Sequence, residues 1–196
     1  MRTLIFGDSI TWGAWDDEGG WVDRLKRYSN QSYSVKGLDW DSPVYNLGVS
    51  GDRTGDIIKR FDSEVEARFD EEAAIVFAIG TNDSAFVNAE NGFWTPYDVF
   101  KSNLTALAGK AKKFTSKVVF VGLLPCADDK LNPAPFATDL SYKKEYIRKY
   151  NLAIRDFCIS QDIDFIDLFD YFESMDNSKV FVDGLHPNAE GYRLMF

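Results

Sequence analysis

From Ala73 to Ile79 the chain is apolar without a break, AAIVFAI. An apolar run of strand length suits a strand buried on both faces, as in a parallel sheet clad by helices. Lys117 to Leu124 reads as a second buried strand. Thr3 to Phe6, Pro43 to Leu47 and Ile163 to Leu168 are shorter strand candidates. Amphipathic segments separate them. Trp21, Leu25 and Tyr28 recur at helical spacing, as do Ile57, Ile58, Phe61, Val65 and Phe69. Val99 to Phe114 carries Phe100, Leu104, Leu107 and Ala111 in step. Tyr142 to Ile159 carries Tyr146, Tyr150, Ile154 and Phe157, and a last helix starts at Asn188. This alternation predicts an α/β fold, a parallel sheet between two helix layers joined by right-handed crossovers. At 196 residues the whole chain, 1–196, suits one domain with a sizeable core.

Such a sheet places its ligand outside the carboxyl ends of its strands, so the polar residues following each strand are the candidates for chemistry. After the first strand stands Gly7-Asp8-Ser9. After the second comes Asn46 to Asp52, NLGVSGD, and after the third Gly80 to Asp83, GTND. Beyond the last comes Asp183 to Asn188, DGLHPN. All four stretches also read as turns. Ser9 could be a helix N-cap rather than a nucleophile.

His186 is the sole histidine of the chain, three residues after Asp183. That short turn lets the carboxylate accept a hydrogen bond from one ring nitrogen. The other nitrogen is then a base free to point at Ser9. The Asn82 amide can donate to an oxyanion. Gly51 can bring a backbone N–H close to a substrate oxygen, since no side chain obstructs it.

Taken together and in order, GDS, SGD, GTND and DGLHP resemble the four blocks of the SGNH hydrolase superfamily, the GDSL lipases and acylhydrolases. The match runs from residue 7 to residue 188. The resemblance implies a three-layer flavodoxin-like fold with a five-stranded sheet in the order 2-1-3-4-5. It implies ester hydrolysis through an acyl-enzyme, with Ser9 as nucleophile, His186 as base and Asp183 as its orienter. The backbone N–H groups of Ser9 and Gly51, with the Asn82 side chain, would form the oxyanion hole. Two departures stand out. The third block has Thr81 where many members have a second glycine, and the last helix is shorter than is usual in the family.

Other readings compete. Ser50, in Gly48-Val49-Ser50-Gly51, is a rival nucleophile, but the G-x-S-x-G elbow needs glycine where Asp52 stands. Asp8, Asp52 and Asp83 could gather at the strand ends to hold a divalent cation, as in a metal-dependent phosphohydrolase or phosphate-binding module. Phosphate chemistry also calls for a cation, and among these blocks only Arg53 offers one. A third reading is a non-catalytic binding domain on the same scaffold.

Asp8, Trp12, Trp15, Phe93, Trp94 and Pro125 are candidate substrate-contacting residues. The long proline-containing segment Leu123 to Asp139 is a candidate lid or binding loop. The serine reading calls for no metal or cofactor, and its partner is a small-molecule ester. A net charge of -9 argues against nucleic acid and anionic membranes. No apolar stretch approaches the roughly 18 residues of a membrane span, and no signal-peptide pattern precedes the first strand. Cys126 and Cys158 lack metal-binding spacing and suit a reducing compartment, so a cytoplasmic location is expected. A homo-oligomer is compatible with the sequence.

Overall fold

The computed structural model describes residues 1–36, 42–69 and 71–196. Five strands form one parallel sheet: β1 (Arg2–Gly7), β2 (Val44–Gly48), β3 (Ala73–Ala78), β6 (Val118–Val121) and β8 (Asp164–Ile166). Their order is β2-β1-β3-β6-β8. Numbered among themselves, the strands run 2-1-3-4-5, as the resemblance implied. The register sets Leu4 of β1 beside Tyr45 on one side and Ile75 on the other, and Phe77 beside Phe120.

Side chains alternate across the sheet, as the two-residue strand period requires. Leu4, Phe6, Ile75 and Phe77 enter one core cluster with Ile57 and Phe61, Phe100 and Leu104, and Ile147 and Tyr150. These last three pairs come from α3 (Thr54–Glu66), α4 (Tyr97–Ala111) and α5 (Lys144–Gln161). Ile5 faces the other way, into a cluster with Trp21, Val22, Phe172, Val180 and Tyr192. That layer comprises α1 (Ser9–Trp12), α2 (Gly20–Lys36), α6 (Phe169–Glu173), α7 (Asn177–Val180) and α8 (Ala189–Met195). In the first cluster Phe6 stacks on Phe61 at 5.1 Å and Phe77 lies 5.0 Å from Phe120. Truncating any of these buried rings to alanine costs about 3–5 kcal/mol.

Several boundaries differ from the periodicity. In β3 alternate residues are buried and half-buried, so its second face is less completely covered than the continuous apolar run predicts. β6 ends at Val121, well before Leu124. Gly122 N–H still reaches Ile166 O at 2.8 Å, but Leu123 N–H donates to Asn151 Oδ1 of α5 instead, also at 2.8 Å. α5 starts at Lys144, so Tyr142 and Lys143 lie outside it.

A second, antiparallel sheet was not foreseen. β4 (Phe86–Val87) pairs with β5 (Gly92–Phe93) on one side and β7 (Leu140–Ser141) on the other. It joins the segment after β3 to the end of the long segment after β6. Among the described residues no helix is long and apolar enough to cross a membrane, and both cysteines are free and buried.

Candidate active site

β1 delivers Ser9 to the rim of the sheet. The turn that follows crosses β3 so closely that a Cβ on Gly7 would lie 2.5 Å from Ala78 O. Only glycine fits there. Asp8, rather than Ser9, is the N-cap of α1, and its Oδ1 accepts from Ile10 N–H at 2.9 Å. Ser9 is therefore the first helical residue, and its N–H has no acceptor within the helix. Asp8 is buried beneath it. Burial pushes the Asp8 carboxyl up to about 7, aided by Asp83 and Asp52 and opposed by Ile10 N–H and His186.

The turn between α7 and α8 brings His186 to Ser9 across 177 positions of chain. Ser9 Oγ and His186 Nε2 are 2.9 Å apart. His186 Nδ1 is 2.7 Å from Asp183 Oδ2. Asp183 Oδ1 accepts from the backbone N–H groups of Leu185 at 2.9 Å and His186 at 2.8 Å. Burial opposes ionisation of Asp183, but the His186 ring and these N–H groups outweigh it and hold the carboxyl at about 2. An ionised carboxylate only accepts. Nδ1 therefore carries the ring proton, and Nε2 accepts from the Ser9 hydroxyl.

Asn82 follows β3, and its side chain is held at both ends. Nδ2 donates to Asp52 O at 3.0 Å, and Oδ1 accepts from Tyr142 Oη at 3.0 Å. An amide nitrogen has two protons, so one remains for a ligand. Burial raises the Tyr142 phenol far above its ordinary range, which keeps it a neutral donor. Tyr142 was legible only as a helix residue; nothing in its spacing pointed to the amide. Gly51 has φ +86°, which disfavours other residues. A Cβ there would meet nothing within 4 Å, so it is the backbone conformation rather than crowding that favours glycine.

A cavity of about 290 Å³ lies over these groups. Ser9, Ser50, Gly51, Asn82 and His186 line it, with walls that include Trp12, Trp15, Trp94, Phe136, Leu140 and Tyr142. Trp12, Trp15 and Trp94 thus lie where the sequence suggested. Phe93 does not: its half-buried ring packs against the core, 5.1 Å from Tyr146 and 5.5 Å from Tyr150. Asp8 and Pro125 are buried off the cavity wall. In the segment Leu123 to Asp139, Cys126, Leu131 and Ala134 are buried, and only Phe136 and Ala137 reach the cavity. Residues 123–127 are buried, whereas most of 128–139 is exposed and forms a strap anchored by Leu131 and Ala134, with Phe136 at the cavity rim.

The carboxylates weighed for a metal have protein partners. Asp52 pairs with Arg60 at 2.8 Å, and Asp83 accepts from Thr54 N–H at 3.0 Å and Thr54 Oγ1 at 2.6 Å. Among the described residues no three His, Cys, Asp or Glu side chains are grouped to hold a metal ion. Arg53 is likewise engaged. Its guanidinium lies 4.7 Å over the Trp94 ring and donates to Trp94 O at 3.2 Å.

Residues 5–194 match the GDSL-like lipase/acylhydrolase family. The isoamyl acetate-hydrolyzing esterase of Schizosaccharomyces pombe is 27% identical over 199 residues, spanning 100% of this chain and 72% of that protein. The acetyl xylan esterase AlAXEase superposes with a TM-score of 0.76 at 23% identity, covering 100% of this chain and 96% of the other. A lipase/acylhydrolase from Enterococcus faecalis gives a TM-score of 0.72 at 24% identity, covering 100% and 91%. These two structural likenesses speak to the fold.

Proposed function

This chain belongs to the GDSL-like lipase/acylhydrolase family, and on that premise we propose that it hydrolyses carboxylic esters with Ser9, His186 and Asp183 acting as one unit. The observation that carries the reading is the continuous hydrogen-bond chain from Ser9 Oγ through His186 to Asp183, at 2.9 and 2.7 Å, beneath an open cavity. Because the contributing residues run from position 9 to position 186, we read 1–196 as one hydrolase unit.

In the first half-reaction Ser9 Oγ attacks the ester carbonyl carbon while His186 Nε2 takes the hydroxyl proton. The imidazolium is stabilised by the Asp183 carboxylate, which keeps its charge. Negative charge gathers on the former carbonyl oxygen. In this reading the backbone N–H groups of Ser9 and Gly51 and the free Asn82 Nδ2 proton receive it. Collapse breaks the acyl–oxygen bond, and His186 returns the proton to the departing alcohol. Water, deprotonated by His186, then cleaves the Ser9 acyl ester and regenerates the hydroxyl.

We assign short-acyl esters, acetates foremost, as the substrates. The cavity, about 290 Å³, lies at the small end of ligand pockets, and a relative of this chain is named for isoamyl acetate. A panel of p-nitrophenyl esters from acetate to decanoate, with and without EDTA, tests this. The expected result is highest kcat/KM at acetate or butyrate, unaltered by chelator. A maximum at decanoate overturns the acyl assignment. Loss of activity with EDTA, restored by a divalent cation, favours the metal-dependent reading.

A further inference from the structure

The Asp183 carboxylate has a fourth partner from the other end of the chain. A carboxylate offers about four acceptor positions. Its own turn fills three of them, through Leu185 N–H, His186 N–H and His186 Nδ1. The remaining one takes Trp15 Nε1–H, 3.2 Å from Oδ2 and 168 residues away. Oδ2 is the oxygen that faces the His186 ring.

Trp15 sits just beyond α1, the helix that opens with Ser9. It has φ +68°, a left-handed conformation that a bulky side chain adopts only when its surroundings enforce it. Those surroundings are visible. Ala14 N–H donates to Ser9 O at 3.0 Å, and the buried Tyr192 hydroxyl donates to Ala14 O at 3.1 Å. On the other side Asp16 accepts from Gly20 N–H at 3.0 Å and is paired with Arg24. The strained turn does not serve to bury the indole, because Trp15 is 63% exposed. What it achieves is to set the indole N–H on Asp183 and the ring edgewise on His186, with centroids 6.0 Å apart. Phe136 closes on His186 from the strap at 5.4 Å.

The geometry points to Trp15 as a positioning residue that fixes the Asp183 carboxylate against His186 and ties their turn to the helix carrying Ser9. This rests on the reading of Ser9, His186 and Asp183 given above. Trp15 touches no reacting atom; it acts by holding Oδ2 at the distance and angle from which Asp183 orients the imidazole. Backbone strain is retained there because relaxing the turn would release that hydrogen bond.

Trp15→Phe keeps a ring and removes the N–H. Trp15→Gly removes the side chain and relieves the strain, since glycine adopts φ above zero freely. Each is compared with the parent by thermal unfolding, p-nitrophenyl acetate kinetics, fluorophosphonate labelling rate and proton NMR. His186 is the chain's sole histidine, so the low-field resonance of its Nδ1 proton is unambiguous.

The expected result is a Trp15→Gly protein at least as thermostable as the parent. In both variants kcat falls roughly 3- to 10-fold, the scale of one hydrogen bond, with KM little changed. Labelling slows in parallel, and the Nδ1 proton signal shifts or broadens. Unchanged kcat, labelling and resonance in both variants overturn the proposal. So does a rise in KM alone, which would make Trp15 only a cavity wall. A parent protein that neither hydrolyses the ester nor labels would instead overturn the underlying nucleophile reading.

Discussion

His186 Nε2 lies 2.9 Å from Ser9 Oγ, although the last turn of the chain must reach back to the first to bring them together. In a serine hydrolase neither residue functions without the other, and their losses do not multiply. Ser9→Ala and His186→Ala should each abolish nearly all turnover while the fold survives. The double variant should be hardly worse than either. Asp183→Asn should also be severely impaired, since an amide that donates to Nδ1 enforces the wrong tautomer. Thermal unfolding and single-turnover kinetics on the four proteins check this. Multiplicative losses would separate the two residues.

Asn82 makes a second prediction. As a donor to the developing oxyanion, it should lower kcat about 10²–10³-fold when changed to alanine, with KM changed far less. Tyr142→Phe should cost roughly 10-fold in kcat through the freed amide, whose Oδ1 Tyr142 now holds at 3.0 Å. A Tyr142→Phe enzyme with parental kcat would mean that Asp52 O alone orients Asn82.

Two carboxylates give opposite pH dependences. Burial, the largest influence on Asp8, raises its pKa from 3.8 to about 7. The folded state therefore favours the protonated form, and stability falls as pH rises from about 4 to about 7, by at most roughly 4 kcal/mol. Asp8→Asn keeps an N-cap acceptor but cannot ionise. Its urea stability should lose that slope and exceed the parent's at pH 8. Asp183 is held at about 2 despite its burial. Its contribution, roughly 2 kcal/mol, is present above pH 4 and lost as pH falls toward 2. The difference in urea stability between the parent and Asp183→Asn should therefore shrink over that window. An Asp8→Asn protein with the parent's slope between pH 4 and 7 would place the titration elsewhere.

The parallel sheet was legible because β1, β3 and β6 are apolar runs, and the helices because Ile57, Phe61 and Val65 or Phe100, Leu104 and Leu107 recur at one period. Ser9, Gly51 and Asn82 were legible as candidates because each stands in a polar block after a strand, and His186 because it is the sole histidine and follows Asp183 by three residues, although α6 and α7 separate it from the last strand. Two-residue strands such as Phe86–Val87 carry no period, so the small sheet was not readable. With it went the placement of Phe93, an aromatic in an apparent loop that turns inward onto Tyr146. Tyr142 fell within a helical pattern, but the helix itself begins only two residues later, at Lys144. The hydrogen bond of Trp15 to Asp183 spans 168 positions, and no local pattern encodes such a contact.

Covalent capture tests the identity of the nucleophile most directly. Ser9 and Ser50 both line the cavity, and of these two serines it is Ser9 whose hydroxyl is hydrogen-bonded to His186. A fluorophosphonate probe should form one stoichiometric adduct, mapped by peptide mass spectrometry to Ser9 and absent from Ser9→Ala. An adduct on Ser50, or labelling that persists in Ser9→Ala, would contradict the assignment of Ser9.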